Sequence, residues 1–290
     1  MPRTQSSHFS TSRLARRATG AGLTLALVLL SSVAHAADCG NDPAGFDAWL
    51  GRFRAAAAAQ GISNATLASA LAGVTYDPNV IRLDRSQRSF KLSFEQFYAR
   101  RVSGGLIARG QRLMGAHQGT LSRIEQRYGV PGPVLMAIWG LETNYGGDGA
   151  GGKSIVRSLA TLAYDCRRSD FFRNELTSAL KIINRGDMSA GQMRGGWAGE
   201  IGPMQFLPSS YYKYAVDFDG DGRKDLARSV PDMLASTANY LKAYGWRAGQ
   251  GWGAGSANYA VLREWNKAEV YVRTISVMAD RLSGRTADAR

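Results

Sequence analysis

A single carboxylic acid lies in the otherwise apolar or neutral segment AIWGLETNYG, residues 137–146. If residues 134–142 form a helix, Glu142 falls on the same face as the apolar side chains Val134, Leu135, Ile138, Trp139 and Leu141. Burial disfavours the charged form of a carboxyl group and raises its pKa. An acid that stays protonated near neutral pH can act as a general acid, and Glu142 is our candidate. The alternative is a buried glutamate that pairs with an arginine or caps loop amides.

A second segment offers polar and aromatic groups that could bind a sugar. WAGEIGPMQFLPSSYYKYA, residues 197–215, combines a Gly-rich turn, a side-chain amide, several aromatic residues and a Pro-Ser-Ser helix start. The amide of Gln205 can both donate and accept hydrogen bonds, which suits sugar hydroxyl and N-acetyl groups. Taken alone, this segment could equally be an ordinary turn followed by aromatic residues of the core.

Helical periodicity recurs along the chain, whereas strand signals are weak, so the sequence predicts a mainly α fold. Ser63 or Asn64 can cap one helix, and Asp170 can cap another that Gly186 ends. The Gly-rich segments GGDGAGGKS and RGGWAGEIGPMQF interrupt the helices. Functional sites often lie on long connections of this kind. The first of these connections follows the segment that contains Glu142, and the second overlaps the segment that contains Gln205.

Histidine is scarce, which excludes several kinds of site. Of the three histidines, His8, His35 and His117, only His117 lies beyond the N-terminal region. A Ser-His-Asp triad would have to use this residue, and a zinc site would have to rely mainly on carboxylates. We interpret His117 as an ordinary surface or helix-end residue.

The N-terminal residues 1–36 have the features of a signal peptide. They contain a basic region, an apolar run over residues 18–33 and the small-x-small motif AHA, which predicts cleavage after Ala36. Cys39 follows a poor lipoprotein box, so we expect a soluble periplasmic protein rather than an anchored one. No other segment is long and apolar enough to be a transmembrane helix.

The charge and the cysteines fit an exported protein. The chain carries a formal net charge of +13, and residues 1–36 contribute four arginines and no acid. A basic exported protein suits an anionic polymer, such as cell-wall glycan, or an anionic membrane surface, whereas nucleic acid is a poor candidate. Cys39 and Cys166 could form one disulfide in an oxidising compartment, and two separate thiols are the alternative.

The sequence resembles a known family when four segments are taken together. These segments are AIWGLETNYG, SLATLAYDCRRSDFF, WAGEIGPMQFLPSSYYKYAVDFDGDG and TANYLKAYGW, and they look like the MltB-type (membrane-bound lytic transglycosylase B) lytic murein transglycosylases. The resemblance implies a lysozyme-like core in a catalytic domain of residues 37–283, with an additional N-terminal α-helical lobe of residues 37–90. Residues 284–290 look like a disordered tail.

The resemblance also implies an activity. The family cleaves the β-1,4 bond between N-acetylmuramic acid and N-acetylglucosamine in peptidoglycan without consuming water, and the muramic C6 hydroxyl closes onto C1 to leave a 1,6-anhydro end. One glutamate, here Glu142, protonates the leaving oxygen and then accepts the hydroxyl proton, whereas ordinary glycoside hydrolysis uses two carboxylates. The implied partner is the peptidoglycan glycan strand, and no cofactor is required.

Further site residues follow from the same resemblance. Gly196 stands where some members of the family have a serine near the acid. The implied substrate-binding residues, with Tyr98 as a weaker candidate and Tyr145 from the acid-containing segment, are Gln205, Phe206, Tyr240, Trp265, Asn266, Phe171, Tyr98 and Tyr145.

The segment DFDGDGRKDLAR resembles the start of a calcium-binding EF-hand loop. Asp217, Asp219, Asp221 and Asp225 occupy ligand positions, but the twelfth position is Arg228 rather than a bidentate glutamate. Losing two oxygens and adding a positive charge should weaken calcium binding greatly. We therefore favour an acidic turn held by its own backbone and a nearby arginine, and keep calcium as the alternative.

Two other functions stay open at this point. A hydrolytic muramidase would need a second carboxylate in the cleft, and Glu200 and Asp148 are the nearby candidates. A non-catalytic glycan-binding protein would need no acid at all, and the apolar setting of Glu142 argues against it.

Overall fold

Helices form most of the protein in its computed structural model, which describes residues 39–86, 92–149 and 151–285. The predicted signal peptide lies outside these residues. The helices are α1 (Phe46–Ala59), α2 (Asn64–Leu71), α3 (Pro78–Ser86), α4 (Phe94–Arg101), α5 (Gly104–Ala116), α6 (Gln118–Tyr128), α7 (Gly132–Thr143), α8 (Ile155–Tyr164), α9 (Ser169–Arg185), α10 (Pro208–Tyr214), α11 (Val230–Ala243), α12 (Ala257–Trp265) and α13 (Glu269–Leu282). A short 3-10 helix, Pro43–Gly45, precedes them. The prediction of a mainly α fold is confirmed.

Local capping explains where several helices begin and end. The Ser63 hydroxyl accepts a hydrogen bond from the Thr66 backbone N–H and caps α2, as predicted. Gly186 ends α9 in the left-handed conformation, also as predicted. The prediction for Asp170 is wrong, because this residue lies inside the first turn of α9 and makes no cap. An acid there still interacts favourably with the positive end of the helix dipole.

The helix α7 runs through the centre of the core. It packs against α13, α5, α6 and α11. All of its residues from 134 to 141 are buried, so α7 is enclosed on every side rather than along the one apolar face that its sequence suggested. A helix that is apolar all round is typical of such a central position.

The three N-terminal helices α1, α2 and α3 pack against α8 and α9. Their buried apolar residues belong to the same hydrophobic core cluster as those of the later helices. A disulfide joins Cys39 to Cys166, which confirms the predicted pair. The predicted boundary of the N-terminal lobe, near residue 90, falls among residues outside the described part.

The ends of the chain are described unevenly. Of the predicted tail, the structure describes Gly284 and Arg285, and the Arg285 guanidinium lies 4.1 Å from the ring centroid of Trp252. The remaining tail residues lie outside the described part. None of the described helices has the length and apolar character needed to cross a membrane.

Two very short strands bring the Gly-rich connections together. Lys153–Ser154 (β1) pairs antiparallel with Arg194–Gly195 (β2). Gly151 has a positive φ, and a Cβ there would lie 2.3 Å from the carbonyl oxygen of Gly195. Only glycine permits this approach, which links the segment after α7 to the turn that carries Gln205.

Candidate active site

Glu142 lies in the last turn of α7, where the helix stops abruptly. The helix ends at Thr143, and the three residues that follow it all have positive φ angles. These angles are 50° for Asn144, 53° for Tyr145 and 78° for Gly146. The Thr143 hydroxyl donates to the carbonyl oxygen of Pro203 at 2.7 Å and accepts from the Gly146 N–H at 3.1 Å. These bonds tie the end of α7 to the turn of residues 196–206.

One oxygen of the Glu142 carboxyl group is fixed by two donors from other helices. Its Oε1 accepts hydrogen bonds from the indole N–H of Trp265 at 3.0 Å and from the Tyr271 hydroxyl at 2.8 Å. Trp265 ends α12, and Tyr271 lies on α13. Its Oε2 accepts no hydrogen bond from a described residue, so this oxygen is available to a ligand.

The surroundings favour the protonated form of Glu142. Burial raises the pKa of this carboxyl group above its ordinary value, although the Trp265 and Tyr271 hydrogen bonds and the charge of Arg101 lower it. The negative charge of Glu200 raises this pKa further. Since burial is the largest cause, the net effect is an acid that keeps its proton to higher pH than an exposed glutamate.

Glu142 opens into a pocket of about 420 Å³. The aromatic wall is built from edge-to-face contacts, because the ring of Trp265 lies 5.3 Å from that of Phe206 and 5.2 Å from that of Tyr240. The Tyr240 hydroxyl donates to the carbonyl oxygen of Glu264 at 2.6 Å. The lining consists of Glu142, Glu200, Gln205, Phe206, Leu207, Ser210, Tyr240, Glu264, Trp265 and Asn266. Six of the predicted site residues therefore meet in one pocket.

A constrained turn presents Gln205 to this pocket. Gln205 has a φ of 55°, an uncommon value for a residue with a side chain, and its Nε2 donates to the carbonyl oxygen of Gly202 at 2.8 Å. Gly202 also has a positive φ, and a Cβ there would lie 2.2 Å from the carbonyl oxygen of Leu226. Since this bond uses one of the two Nε2 hydrogens, Gln205 can offer its amide oxygen and the second N–H to a ligand.

Three predicted substrate-binding residues do not line the pocket. Tyr145 is a core residue, only 4 % exposed, whose ring lies 5.6 Å from that of Trp139. Tyr98, on α4, accepts a hydrogen bond from the Arg281 guanidinium of α13 at 3.1 Å. Phe171 is 45 % exposed in the first turn of α9. The local sequence gave no means of telling a pocket aromatic from a core or surface one.

The residues of the site that were not predicted are Tyr271, Leu207, Ser210 and Glu264. Tyr271, in the segment VLREWNKAEVYV, was not among the predicted site residues. Its position among apolar residues of an amphipathic helix was the available signal. Glu200 was considered only as a candidate for a second acid, and it does line the Glu142 pocket, whereas Asp148 lines a different one.

The acidic loop is tied largely by its own hydrogen bonds. Carboxylate oxygens of Asp217, Asp219 and Asp221 lie within 4.8 Å of one another. Asp225 does not join them, because its Oδ2 pairs with the Arg228 guanidinium at 2.7 Å. Three of the four predicted ligands therefore cluster. The remaining one, Asp225, is paired instead with Arg228, the residue at the twelfth position of the loop.

Comparisons with known proteins agree with this geometry. Residues 45–256 match the family model of the transglycosylase SLT domain. Membrane-bound lytic murein transglycosylase B of Escherichia coli (strain K12) is 38 % identical over 144 residues, which are 49 % of this chain and 39 % of that protein. The match thus spans well under half of this curated relative.

Solved structures extend the comparison over most of the chain. SltB3 from Pseudomonas aeruginosa, crystallised with NAG-anhNAM-pentapeptide, is 34 % identical with a TM-score of 0.77, and the match covers 83 % of this chain and 80 % of that one. SltB1 from the same organism, 23 % identical with a TM-score of 0.76 over 81 % and 98 % of the chains, shows the fold alone. The lysozyme-like fold predicted from the sequence is confirmed.

Proposed function

Because the chain belongs to the transglycosylase SLT domain family, we propose that it is a lytic murein transglycosylase that cleaves the glycan strands of peptidoglycan. The observation that carries the proposal is the half-buried Glu142, with one oxygen held by Trp265 and Tyr271 and the other free to meet a ligand. A glycan-binding protein without catalysis would have no use for an acid in this state. The complexes of SltB3 with peptidoglycan fragments support the substrate class.

The proposed reaction uses Glu142 twice. The protonated carboxyl group donates its proton to the oxygen between N-acetylmuramic acid and N-acetylglucosamine as the bond from that oxygen to C1 breaks. The carboxylate then accepts the proton of the muramic C6 hydroxyl while this oxygen bonds to C1. The products are a 1,6-anhydromuramoyl end and a new N-acetylglucosamine end, and the acid returns to its starting state.

The pocket residues have separate roles in this proposal. The aromatic faces of Phe206, Tyr240 and Trp265 suit the apolar faces of sugar rings, and the Gln205 amide oxygen suits a hydroxyl or an N-acetyl N–H donor. The reaction needs no cofactor. We expect calcium to bind weakly at the acidic loop, because Arg228 neutralises Asp225 there. The signal-like N-terminus supports export to the periplasm.

A hydrolytic muramidase is the second candidate, and one observation favours it. Glu200 lines the pocket of Glu142, and two carboxyl groups flanking a glycosidic bond are the usual requirement for hydrolysis. In that case Glu200 would accept the proton of an attacking water, and the product would have a reducing end rather than an anhydro end.

Digestion of purified sacculi tests the role of Glu142 in either reaction. We expect the wild type to release soluble fragments, and Glu142→Gln to bind sacculi as strongly as the wild type while releasing nothing. Glu264→Gln, which removes a carboxylate of the same pocket that pairs with Lys267, is the matched control and should stay active. Release by Glu142→Gln at the wild-type rate would contradict the assignment.

A further inference from the structure

A second acid, Glu200, is built into the wall of the Glu142 pocket without a cationic partner. It forms no ion pair with any described residue, and the pocket lining contains no lysine, arginine or histidine. Glu264, the remaining acid of the lining, differs because Lys267 approaches its carboxylate at 2.6 Å. Glu200 is therefore a half-buried, uncompensated carboxyl group beside the proposed general acid.

The backbone fixes this side chain and leaves space for it. Glu200 Oε2 accepts the Ala198 N–H at 2.9 Å, and the Glu200 carbonyl oxygen accepts the Gly196 N–H at 2.9 Å. A Cβ on Gly196 would lie 2.1 Å from Glu200 Oε2 and 2.9 Å from Cδ. The carboxyl group thus occupies the volume that any side chain at position 196 would need. The position of the Glu200 carboxyl group therefore depends on a glycine at position 196.

We propose that Glu200 is a positioning residue whose negative charge keeps Glu142 protonated and so extends proton donation to higher pH. The effect of Glu200 on catalysis rests on the proposed function, whereas its effect on the ionisation of Glu142 does not. A like charge in a shared, partly dehydrated pocket disfavours a second ionisation.

The other groups that face Glu142 do not supply this charge. Arg101 of α4 favours the ionised form of Glu142, as do the hydrogen bonds from Trp265 and from Tyr271 of α13. Tyr240 of α11 is an un-ionised phenol, because burial raises its pKa far above neutral. Since Glu264 is paired with a lysine, Glu200 is the pocket group that opposes Arg101.

Glu200 can carry its charge while Glu142 is still protonated. Burial raises the pKa of Glu200, but backbone hydrogen bonds, including the one from Ala198, lower it by stabilising the carboxylate. A negative charge on Glu200 disfavours the ionisation of Glu142, and by reciprocity an ionised Glu142 disfavours the ionisation of Glu200. Glu200 acts in this way when its carboxylate, which the Ala198 N–H stabilises, forms before that of Glu142.

A carboxyl-carbon NMR titration of the substrate-free protein tests the inference directly. With Glu142→Gln used to assign the resonance, we expect Glu200→Gln to lower the titration midpoint of Glu142 by about 1 pH unit. Glu264→Gln, the control that removes a lysine-paired acid, should leave the midpoint unchanged, and Glu200→Asp, which keeps the charge, should stay close to the wild type. An unchanged midpoint in Glu200→Gln, or equal shifts in the Asp and Gln variants, would overturn the inference.

The pH profile of digestion gives a second readout. Because the general acid must be protonated, the alkaline limb of kcat/KM should move to lower pH in Glu200→Gln, while activity at acidic pH stays near that of the wild type. A merely structural role would lower activity at all pH values and leave the limb in place. Since the titration needs no substrate, failure of the proposed function and failure of this inference are separate outcomes.

Discussion

Glu142 has to release a proton and take one back in the proposed reaction, and its surroundings serve both steps. Dehydration favours the neutral acid that the first step needs. The Trp265 and Tyr271 donors favour the carboxylate that the second step needs, and both bind the same oxygen. The opposed effects leave Oε2 as the oxygen that exchanges the proton with the substrate.

Removing the Tyr271 hydroxyl should disturb this balance. Tyr271→Phe loses a hydrogen bond that stabilises the carboxylate, so the pKa of Glu142 rises further and the alkaline limb of the pH profile moves to higher pH. We expect kcat to fall about tenfold, or ~1.4 kcal/mol, because the carboxylate of the second step loses a donor.

Tyr259→Phe, in the same region of the fold, is the control for the loss of a tyrosine hydroxyl. The hydroxyl of Tyr259 donates to Glu269 at 2.6 Å away from the pocket, so Tyr259→Phe removes an equivalent bond. Steady-state kinetics over pH should show the wild-type profile for Tyr259→Phe. A profile of Tyr271→Phe that overlays the wild type would contradict the role given to this donor.

Sequence reasoning found the acid of the site but not all of its partners. Glu142 stood out because a lone acid in an apolar helix needs a reason to be there. Tyr271 lies 129 residues further along the chain, and only the packing of α13 on α7 brings its hydroxyl to Glu142. Tyr145 was misplaced because a local pattern does not reveal that its ring packs between helices α5 and α7.

At the scale of elements, close helix packing positions the end of α7. Gly110 of α5 and Gly140 of α7 leave room for the Tyr145 ring, since a Cβ on either residue would approach it within 3 Å. The helices were predictable from periodicity and caps, but these close approaches were not, because they depend on which helices become neighbours.

Two glycines of α5 should respond oppositely to substitution by alanine. In Gly110→Ala the new Cβ would lie 2.1 Å from the Tyr145 hydroxyl oxygen and 2.7 Å from Leu282 Cδ2, and we expect a loss of about 1–3 kcal/mol in unfolding free energy. Gly115→Ala meets nothing within 4 Å and should gain about 0.5–1 kcal/mol, because alanine favours the helix. Urea unfolding measures both, and equal stabilities would contradict the packing argument.

The acidic loop allows a test of the calcium expectation. Arg228→Glu would free Asp225 from its ion pair and put a bidentate ligand at the twelfth position, so we expect calcium affinity to rise at least about tenfold. Arg223→Glu makes the same charge change at an exposed position of the loop and should raise affinity far less. Isothermal titration calorimetry distinguishes the variants, and equal affinities would show that charge alone decides binding.

At the scale of the whole molecule, covalent and ionic links fasten the N-terminal helices to α8 and α9. The disulfide Cys39–Cys166 lies beside a cluster of ion pairs. In this cluster the buried Asp84 contacts Arg85, Arg167 and Arg168, and Arg85 also contacts Asp165 at 2.8 Å. The cysteine count predicted the disulfide, whereas the ion pairs depend on tertiary contacts between residues about eighty positions apart.

Loss of the disulfide should lower stability without abolishing catalysis. The bond closes a loop with a sequence separation of 127 residues, and we expect the Cys39→Ser/Cys166→Ser variant to lose about 2–5 kcal/mol of unfolding free energy. Digestion below the unfolding transition should continue, because neither cysteine lines the pocket. A reducing agent should destabilise the wild type but not the double variant. Equal unfolding midpoints for the wild type and the double variant, both measured without a reducing agent, would contradict the prediction.

The most direct test of the proposed reaction is mass spectrometry of the soluble fragments released from purified sacculi by the wild type, with Glu142→Gln beside it. We expect muropeptides lighter than the hydrolysed form by one water, present with the wild type and absent with the variant. Fragments with reducing ends instead would contradict the transglycosylase mechanism and favour hydrolysis with Glu200 as the second carboxylate.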